Sequence, residues 1–192
     1  LSFTQSTGEK EVVRFIKNNY GGIVLTGVRD VIAPHELDIY LPELSVAIEY
    51  NGIYWHSENM GRGKYYHYNK FHECLRRGIK LISVYDTEWI NQPCIVKSRI
   101  NHVLGNSTRI FARKCKIVEL GKKEVTVFLE NNHTQGKCDS AYNYGLSCDG
   151  VVYGLMTFGK ARYSNEYEYE LIRYVTLAGT TIVGGPHKLF NH

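Results

Sequence analysis

The sequence predicts an α/β protein in which a mixed sheet flanked by helices, over residues 1–106, precedes a smaller α+β domain over residues 107–192. Before Gly105 the hydrophobic residues switch between the helical and the strand period, in the order helix, strand, strand, strand, helix, strand, helix. The run from Gly105 to Thr108 interrupts this pattern, and a basic stretch follows it. A content of 43% hydrophobic and 22% charged residues is that of an ordinary globular protein.

The composition narrows the classes of function. No window approaches the ~18 uncharged apolar residues of a membrane-spanning helix, and the N-terminus lacks the layout of a signal peptide, so we expect a cytoplasmic protein without a membrane partner. The five cysteines include no C-x-x-C pair, which predicts neither a disulfide framework nor a cysteine zinc site. A net charge of +4 together with 15 tyrosines is compatible with nucleic-acid binding.

The elements of the first domain follow from local signals. Ser6 or Thr7 is a suitable N-cap for a first helix that ends near Tyr20, because acidic and then apolar residues at helical spacing come next. Alternating residues on either side of Pro42 predict a hairpin, and Gly78 is a helix stop. The remaining predictions are a strand over 23–25, hairpin strands over 36–41 and 46–51, a helix over 64–77, a buried strand over 80–85 and a helix over 90–104.

The second domain is predicted mainly from turn signals. The Asp149-Gly150 pair is typical of a tight hairpin, and Gly184-Gly185-Pro186 is typical of a helix start. The predicted elements are strands over 116–120, 141–147, 151–158 and 168–175, a helix over 122–131 and a helix that opens at Gly185.

The hairpin about Pro42 carries the most informative residues. Its expected register sets Asp38 opposite Ile48 or Glu49. Opposed carboxylates on a half-buried sheet repel, so a fold that retains them needs a cation, and hard oxygen ligands favour Mg²⁺, with Mn²⁺ as the alternative. Glu9 on the first helix is a candidate third ligand. Such an ion favours phosphodiester hydrolysis, although strand carboxylates commonly face solvent instead.

The chain leaves the second hairpin strand through a segment rich in aromatic residues. His56 is a candidate acid, base or phosphate contact, because its ordinary pKa lies near neutrality. Trp55, beside Tyr54, is a candidate wedge between bases. Each also has a purely structural interpretation, as a core histidine or a core aromatic residue.

These residues resemble the PD-(D/E)XK nucleases, and more closely the branch related to very-short-patch repair (Vsr) endonucleases, which includes phage homing endonucleases. The similarity rests on Glu9, on Glu-Leu-Asp-Ile-Tyr over 36–40, on Glu-Tyr-Asn over 49–51, on the segment from Gly52 to His56, and on 66–70, 78–82 and 86–89. It implies a Vsr-like catalytic domain that cleaves double-stranded DNA, in the host cytoplasm if the protein is phage-encoded.

Two departures from that family bear on mechanism. Asn51 stands where the superfamily commonly has lysine, so Lys70 from the following helix, or His56, is expected to take that role; Lys70 and His67 have an equally good interpretation as residues covering the sheet. The cysteine and extra histidines of the repair enzymes' zinc site are missing from the sequence. The resemblance therefore implies no structural zinc and favours site-directed cleavage over mismatch repair.

A basic group at the domain boundary, Arg109, Arg113 and Lys114, is the first candidate for phosphate contacts, although such runs are commonly solvated faces. The second domain is similar to the acetyltransferase-like (GNAT or Mom-like) modules appended to some phage endonucleases, and it is expected to be truncated, because the chain stops before the strand that would complete an acyl-CoA cleft.

The sequence thus predicts a Mg²⁺-dependent, homing-type DNA endonuclease. A single active site implies nicking unless two copies meet on the duplex as a homodimer. Two alternatives stay open: an acyltransferase or DNA-modifying enzyme whose first domain only binds DNA, and a nuclease-fold domain that binds without cleaving.

Overall fold

The computed structural model describes residues 5–52, 65–163 and 166–192, and the chain divides into two compact units, Leu1–Val96 and Lys97–His192. The predicted α/β class is confirmed. The first unit contains α1 (Thr7–Asn19), β1 (Leu25–Ile32), β2 (His35–Leu41), β3 (Val46–Asn51), α2 (Tyr66–Arg76), β4 (Lys80–Tyr85) and α3 (Asp86–Asn91), and α4 (Pro93–Val103) spans the division. The second unit contains β5 (Thr108–Phe111), β6 (Lys116–Glu119), α5 (Lys122–Asn132), β7 (Tyr142–Cys148), β8 (Val151–Lys160), β9 (Tyr169–Thr176), β10 (Thr180–Val183) and α6 (Gly185–Phe190).

The first helix forms as its sequence predicts. The Ser6 hydroxyl accepts a hydrogen bond from the backbone N–H of Glu9 at 3.1 Å, which satisfies one of the free donors of the first turn. Val12, Val13 and Ile16 are buried along one stripe. Glu9 precedes Val12 and Val13 by three and four residues, so the helix repeat carries its side chain toward the buried side as well.

The first unit is built on a four-stranded sheet in the order β1-β2-β3-β4. Its first two pairings are antiparallel, and β4 joins β3 in parallel after the crossover that contains α2. A 3₁₀ turn over Pro42–Leu44, closed by Ser45 in the left-handed region at φ 51°, connects β2 to β3. This turn pairs Ile39 with Ile48 and Leu41 with Val46.

The spacing of residues along α2 matches the spacing of residues along β3. Ala47 and Cys74 are buried in one apolar cluster, and Glu49 and Lys70 lie in contact. Four helical residues advance about 6 Å and two strand residues about 6.6 Å, so both pairs meet along the same packing surface. Gly78, at φ +68°, ends the helical segment.

Several element predictions were wrong. The strand predicted over 23–25 is β1, which starts at Leu25, runs to Ile32 and, among the described strands, pairs only with β2. The helix predicted over 90–104 is divided into α3 and α4, because Pro93 lacks the N–H that would continue the helix. The short parallel pair β5 and β10 was not predicted.

The second unit is organised around the antiparallel sheet β6-β7-β8-β9. Asp149 and Gly150, both with positive φ, form the predicted turn between β7 and β8. Neighbouring residues of β8 point to opposite sides of the sheet: Leu155 packs with Leu129 of α5, and Met156 packs with Leu189 of α6.

The division at Val96 falls before the sequence break at Gly105 on which the expected boundary of 106/107 was based. Ser98 Oγ accepts a hydrogen bond from the backbone N–H of Gly179 at 2.8 Å, and His102 Nδ1 lies 2.8 Å from Thr181 Oγ1. These contacts associate the C-terminal part of α4 with the second unit. Within the described residues, no helix has the length and apolar character needed to cross a membrane.

Candidate active site

The first unit has an open cavity of about 950 Å³ at the ends of β2 and β3 that lie away from their connecting turn. Its charged lining is dominated by carboxylates. The acidic residues in the wall are Glu9, Glu36, Asp38, Glu49 and Asp86, and the lysine and arginine residues are Arg29 and Lys70. The cavity is therefore acidic although the whole chain has a net charge of +4.

Asp38 and Glu49 meet across the hairpin. Continuing the pairing of Ile39 with Ile48 places Asp38 opposite Glu49, one of the two partners that the sequence allowed. The backbone N–H of Asp38 donates to Glu49 Oε1 at 3.2 Å, and the N–H of Tyr50 donates to Asp38 Oδ2 at 2.9 Å. These two hydrogen bonds hold the carboxylates at one edge of the strand pair.

Lys70 brings a cation to this pair. Its ammonium group donates to Glu49 Oε2, and the two residues are only 3% and 7% exposed. A buried ion pair of this kind is costly to desolvate, so its contribution to stability depends on both partners being present. Lys70 is one of the two residues that the sequence proposed in place of the lysine missing at Asn51.

The electrostatics of the cavity show an excess of negative charge. Burial, followed by the nearby Asp38 carboxylate, raises the pKa of Glu49 to about 7, although the Lys70 ammonium opposes this shift. Burial and Asp38 also raise the pKa of Glu9. Because Asp38 affects both groups, the three carboxylates lie close enough to repel one another, and an added cation would relieve that repulsion.

A close approach of side chain to backbone shapes the wall beside Glu9. A Cβ atom at Gly8 would lie 2.0 Å from Tyr50 Oη, so only glycine lets the Tyr50 ring take this position against the first turn of α1. Burial raises the pKa of the Tyr50 hydroxyl. Tyr50 follows Glu49 directly, so this contact connects α1 to the strand that carries the second carboxylate.

The other sequence-predicted residues have different placements. Asn51 and His67 line the same cavity. Tyr54, Trp55 and His56 lie outside the described residues. Arg109 is in β5 of the second unit, and Arg113 and Lys114 are in the 3₁₀ turn over Ala112–Lys114 of that unit, where the Arg113 guanidinium lies 5.2 Å from the centroid of the Phe111 ring.

Two groups in the wall were not anticipated. Arg29 Nε donates to Glu36 Oε2 at 2.6 Å, a partly exposed ion pair. Asp86 follows β4 directly, and β4 is parallel to β3 with Tyr85 opposite Asn51. Since parallel strands end at the same edge, the position of a carboxylate just after a strand that follows a strand and a helix was the sequence signal for Asp86.

The donor set fits a divalent ion bound by few protein ligands. Among the described residues, no group of three or more His, Cys, Asp or Glu side chains is arranged to hold a metal ion. Mg²⁺ commonly takes one or two carboxylates and completes its shell with water and substrate phosphate oxygens. Asp38 and Glu49 supply two carboxylates beside an open cavity, which satisfies that requirement without a third protein ligand.

Comparisons with known proteins give one similarity to a solved structure. No family model matches the chain, and no curated protein does. The chain is similar to the structure described as the catalytic domain of the homing endonuclease I-Bth0305I, with 25% sequence identity and a TM-score of 0.41. This similarity covers 52% of the present chain and 94% of that domain.

Proposed function

We propose that the protein is a metal-dependent endonuclease that hydrolyses phosphodiester bonds of double-stranded DNA. The observation that supports this most directly is the pairing of Asp38 with Glu49 at the edge of an acidic cavity, with the buried Lys70 ammonium on Glu49. Carboxylates that repel one another in the absence of a cation are suited to hold a divalent ion, and such an ion assists the hydrolysis of a phosphodiester.

The proposal gives each residue of the cavity a separate role. Asp38 and Glu49 would hold Mg²⁺ or Mn²⁺, and Glu9 would orient the ion directly or through water. A divalent ion at this place lowers the pKa of a bound water and offsets the charge of the phosphate. Lys70 would orient Glu49 and place positive charge near the attacked phosphate, and Asn51 would contribute an amide donor at the same edge.

The DNA contacts belong to the same proposal. His56 would act as acid, base or phosphate contact, with Trp55, Tyr54 and His67 against the DNA near the cut. Arg109, Arg113 and Lys114 belong to a unit with 13 Lys and Arg residues against 8 Asp and Glu, a charge that favours a polyanion. We further propose a phage homing-type enzyme, in which two copies meet on the duplex when both strands are cut.

Plasmid cleavage tests the proposal. Supercoiled plasmid incubated with the full chain and Mg²⁺ is expected to become nicked or linear, and EDTA is expected to stop this. Asp38→Asn should slow cleavage about 100-fold or more, since a bound ion contributes several kcal/mol to transition-state stabilisation and each 1.4 kcal/mol is tenfold in rate.

Glu36→Gln is the matched control, because Glu36 lines the same cavity but pairs with the partly exposed Arg29. It should retain most of the activity. Cleavage that continues unchanged in EDTA or in Asp38→Asn would contradict the proposal, and DNA binding without cleavage under Mg²⁺ and Mn²⁺ would favour a binding-only domain.

A further inference from the structure

A polar cluster lies on the central sheet of the second unit, on the same side as α5. Leu155 and Val175 are paired across β8 and β9 and are covered by Val125 and Leu129 of the helix. Two residues further along β8, Thr157 pairs with Arg173 on the same side of the sheet. His133, the residue that follows α5, lies near enough to Arg173 for the arginine charge to lower its pKa.

Arg173 has fewer partners than a partly buried guanidinium needs. Its Nη1 donates to the carbonyl of Ile172 at 2.9 Å, whereas its Nε atom is buried and has no hydrogen-bond partner among the residues that the structure describes. Among the described residues, no carboxylate forms an ion pair with it. The charge of this guanidinium is therefore undercompensated within the described part of the chain.

His133 adds a second donor. Its Nδ1 accepts a hydrogen bond from the backbone N–H of Gln135 at 3.1 Å, and the neutral ring therefore carries its proton on Nε2. Burial, and then the charge of Arg173, lower the pKa of His133, which keeps the ring neutral at pH 7. Nε2–H is thus a donor for which the described residues supply no acceptor.

Thr157 lies beneath this cluster. It is fully buried, and its hydroxyl lies 3.5 Å from Cys138 Sγ, a contact in which either atom can donate. The cluster therefore presents a cation and a neutral imidazole donor above a buried hydroxyl, and no carboxylate of the described residues is paired to the cation. Its chemistry is complementary to an oxyanion.

We propose that Arg173 and His133, which lie above the buried Thr157, bind a phosphate group, either of a small phosphorylated molecule or of a nucleic-acid backbone. The unpartnered donors require an acceptor with several oxygens, and a guanidinium matches the geometry of phosphate. The excess of basic residues in the second unit attracts a polyanion in particular. This site is independent of the proposed cleavage chemistry in the first unit.

Histidine NMR of the full chain at pH 7.5 tests the site. The ring signal of His133, assigned by its loss in His133→Gln, is followed while inorganic phosphate replaces chloride at constant ionic strength. We expect a saturable shift, and at least about tenfold weaker binding in Arg173→Gln, the loss that one charge-assisted hydrogen-bond donor commonly produces. Arg162→Gln is the matched control, because it removes the same charge from an exposed arginine paired with Glu170, and it should leave the affinity unchanged.

Parallel titrations distinguish the source of the phosphate. Saturation by a short DNA duplex at lower concentration than by a mononucleotide assigns the site to a nucleic-acid backbone, and the reverse order assigns it to a small phosphorylated ligand. A linear, non-saturating response to phosphate would overturn the proposal. Equal affinity in Arg173→Gln and the unchanged chain, or equal saturation by acetate, would do so as well.

Discussion

Each unit has a basic side chain that is at least partly buried, and the two side chains differ in the partners that compensate their charge. Lys70 in the first unit is almost fully buried and contacts the Glu49 carboxylate. Arg173 in the second unit is half-buried, has a buried Nε without a partner, and forms no ion pair among the described residues. In the first unit acidic groups outnumber the cations around the cavity, whereas in the second the cation lacks an anion.

This difference indicates what each region is suited to bind. Uncompensated charge inside a protein is costly, and a ligand of opposite charge removes the cost. The acidic cavity therefore favours a cation, and the Arg173 cluster favours an anion. The comparison gives opposite expectations for removing the two basic side chains.

The largest expected effect comes from Lys70→Met. Removing the ammonium leaves Glu49 buried without its cation, so the free energy of unfolding should fall by about 3–5 kcal/mol at pH 8. The loss should be smaller at pH 5, where Glu49 is protonated. Urea unfolding followed by tryptophan fluorescence measures it, because Trp89 is buried in the first unit.

Arg29→Gln is the control for this measurement, since Arg29 forms an exposed pair with Glu36 in the same unit. Its effect should stay within about 1 kcal/mol. If Lys70→Met costs no more than this control at pH 8, Glu49 does not depend on Lys70 for its charge compensation.

A second expectation concerns pH in the absence of metal. The pKa of Glu49 is raised from 4.5 to about 7, so the folded protein binds the proton more tightly than the unfolded chain. The contribution of Glu49 to the free energy of unfolding is therefore largest below pH 4.5. This contribution falls by about 3 kcal/mol as pH rises through 7, because each pKa unit corresponds to about 1.36 kcal/mol. Denaturation in EDTA at several pH values measures this slope.

Glu49→Gln isolates the contribution of this one carboxylate. The difference in free energy of unfolding between the unchanged chain and the variant should change by the same amount across pH 4.5–7 and remain constant above pH 8. A pH-independent difference would place the Glu49 pKa near its ordinary value and weaken the case for a cation at this position.

The smallest effect, with the opposite sign, is expected for Arg173→Met. Replacing a partly buried, uncompensated cation with an apolar side chain should stabilise the second unit by about 1 kcal/mol in phosphate-free buffer. Hydrogen exchange of the β8 and β9 amides measures this. Destabilisation of similar size would show that the folded protein already compensates the Arg173 charge.

The sequence predicted best what short-range chemistry determines. The hairpin about Pro42 and the convergence of Asp38 on its neighbour strand follow from alternation and from a turn of few residues. The Asp149-Gly150 turn was equally clear, because both of its residues adopt positive φ. Lys70 was one of two candidates for the role of the missing lysine, but its pairing with Glu49 was not predicted, since no local pattern reports which helical turn faces a given strand residue.

What the sequence did not predict depends on partners distant along the chain. The length of β1 was underestimated because this edge strand is mostly exposed, and Arg29 and Asp30 interrupt any alternation of apolar residues. β5 and β10 are four residues each and pair in parallel across some seventy positions, so neither has a local signature. The Arg173 cluster was missed for the same reason, because His133 reaches β9 only through the tertiary fold.

The tight connection between β2 and β3 has a consequence for how this protein can diversify. Ser45 in the left-handed region and the 3₁₀ turn over Pro42–Leu44 together set the alignment of the two strands. Inserting or deleting a single amino acid there would rotate Asp38 to the opposite side of the sheet while leaving Glu49 in place. Substitutions within this turn should therefore be tolerated far more readily than a change in its length.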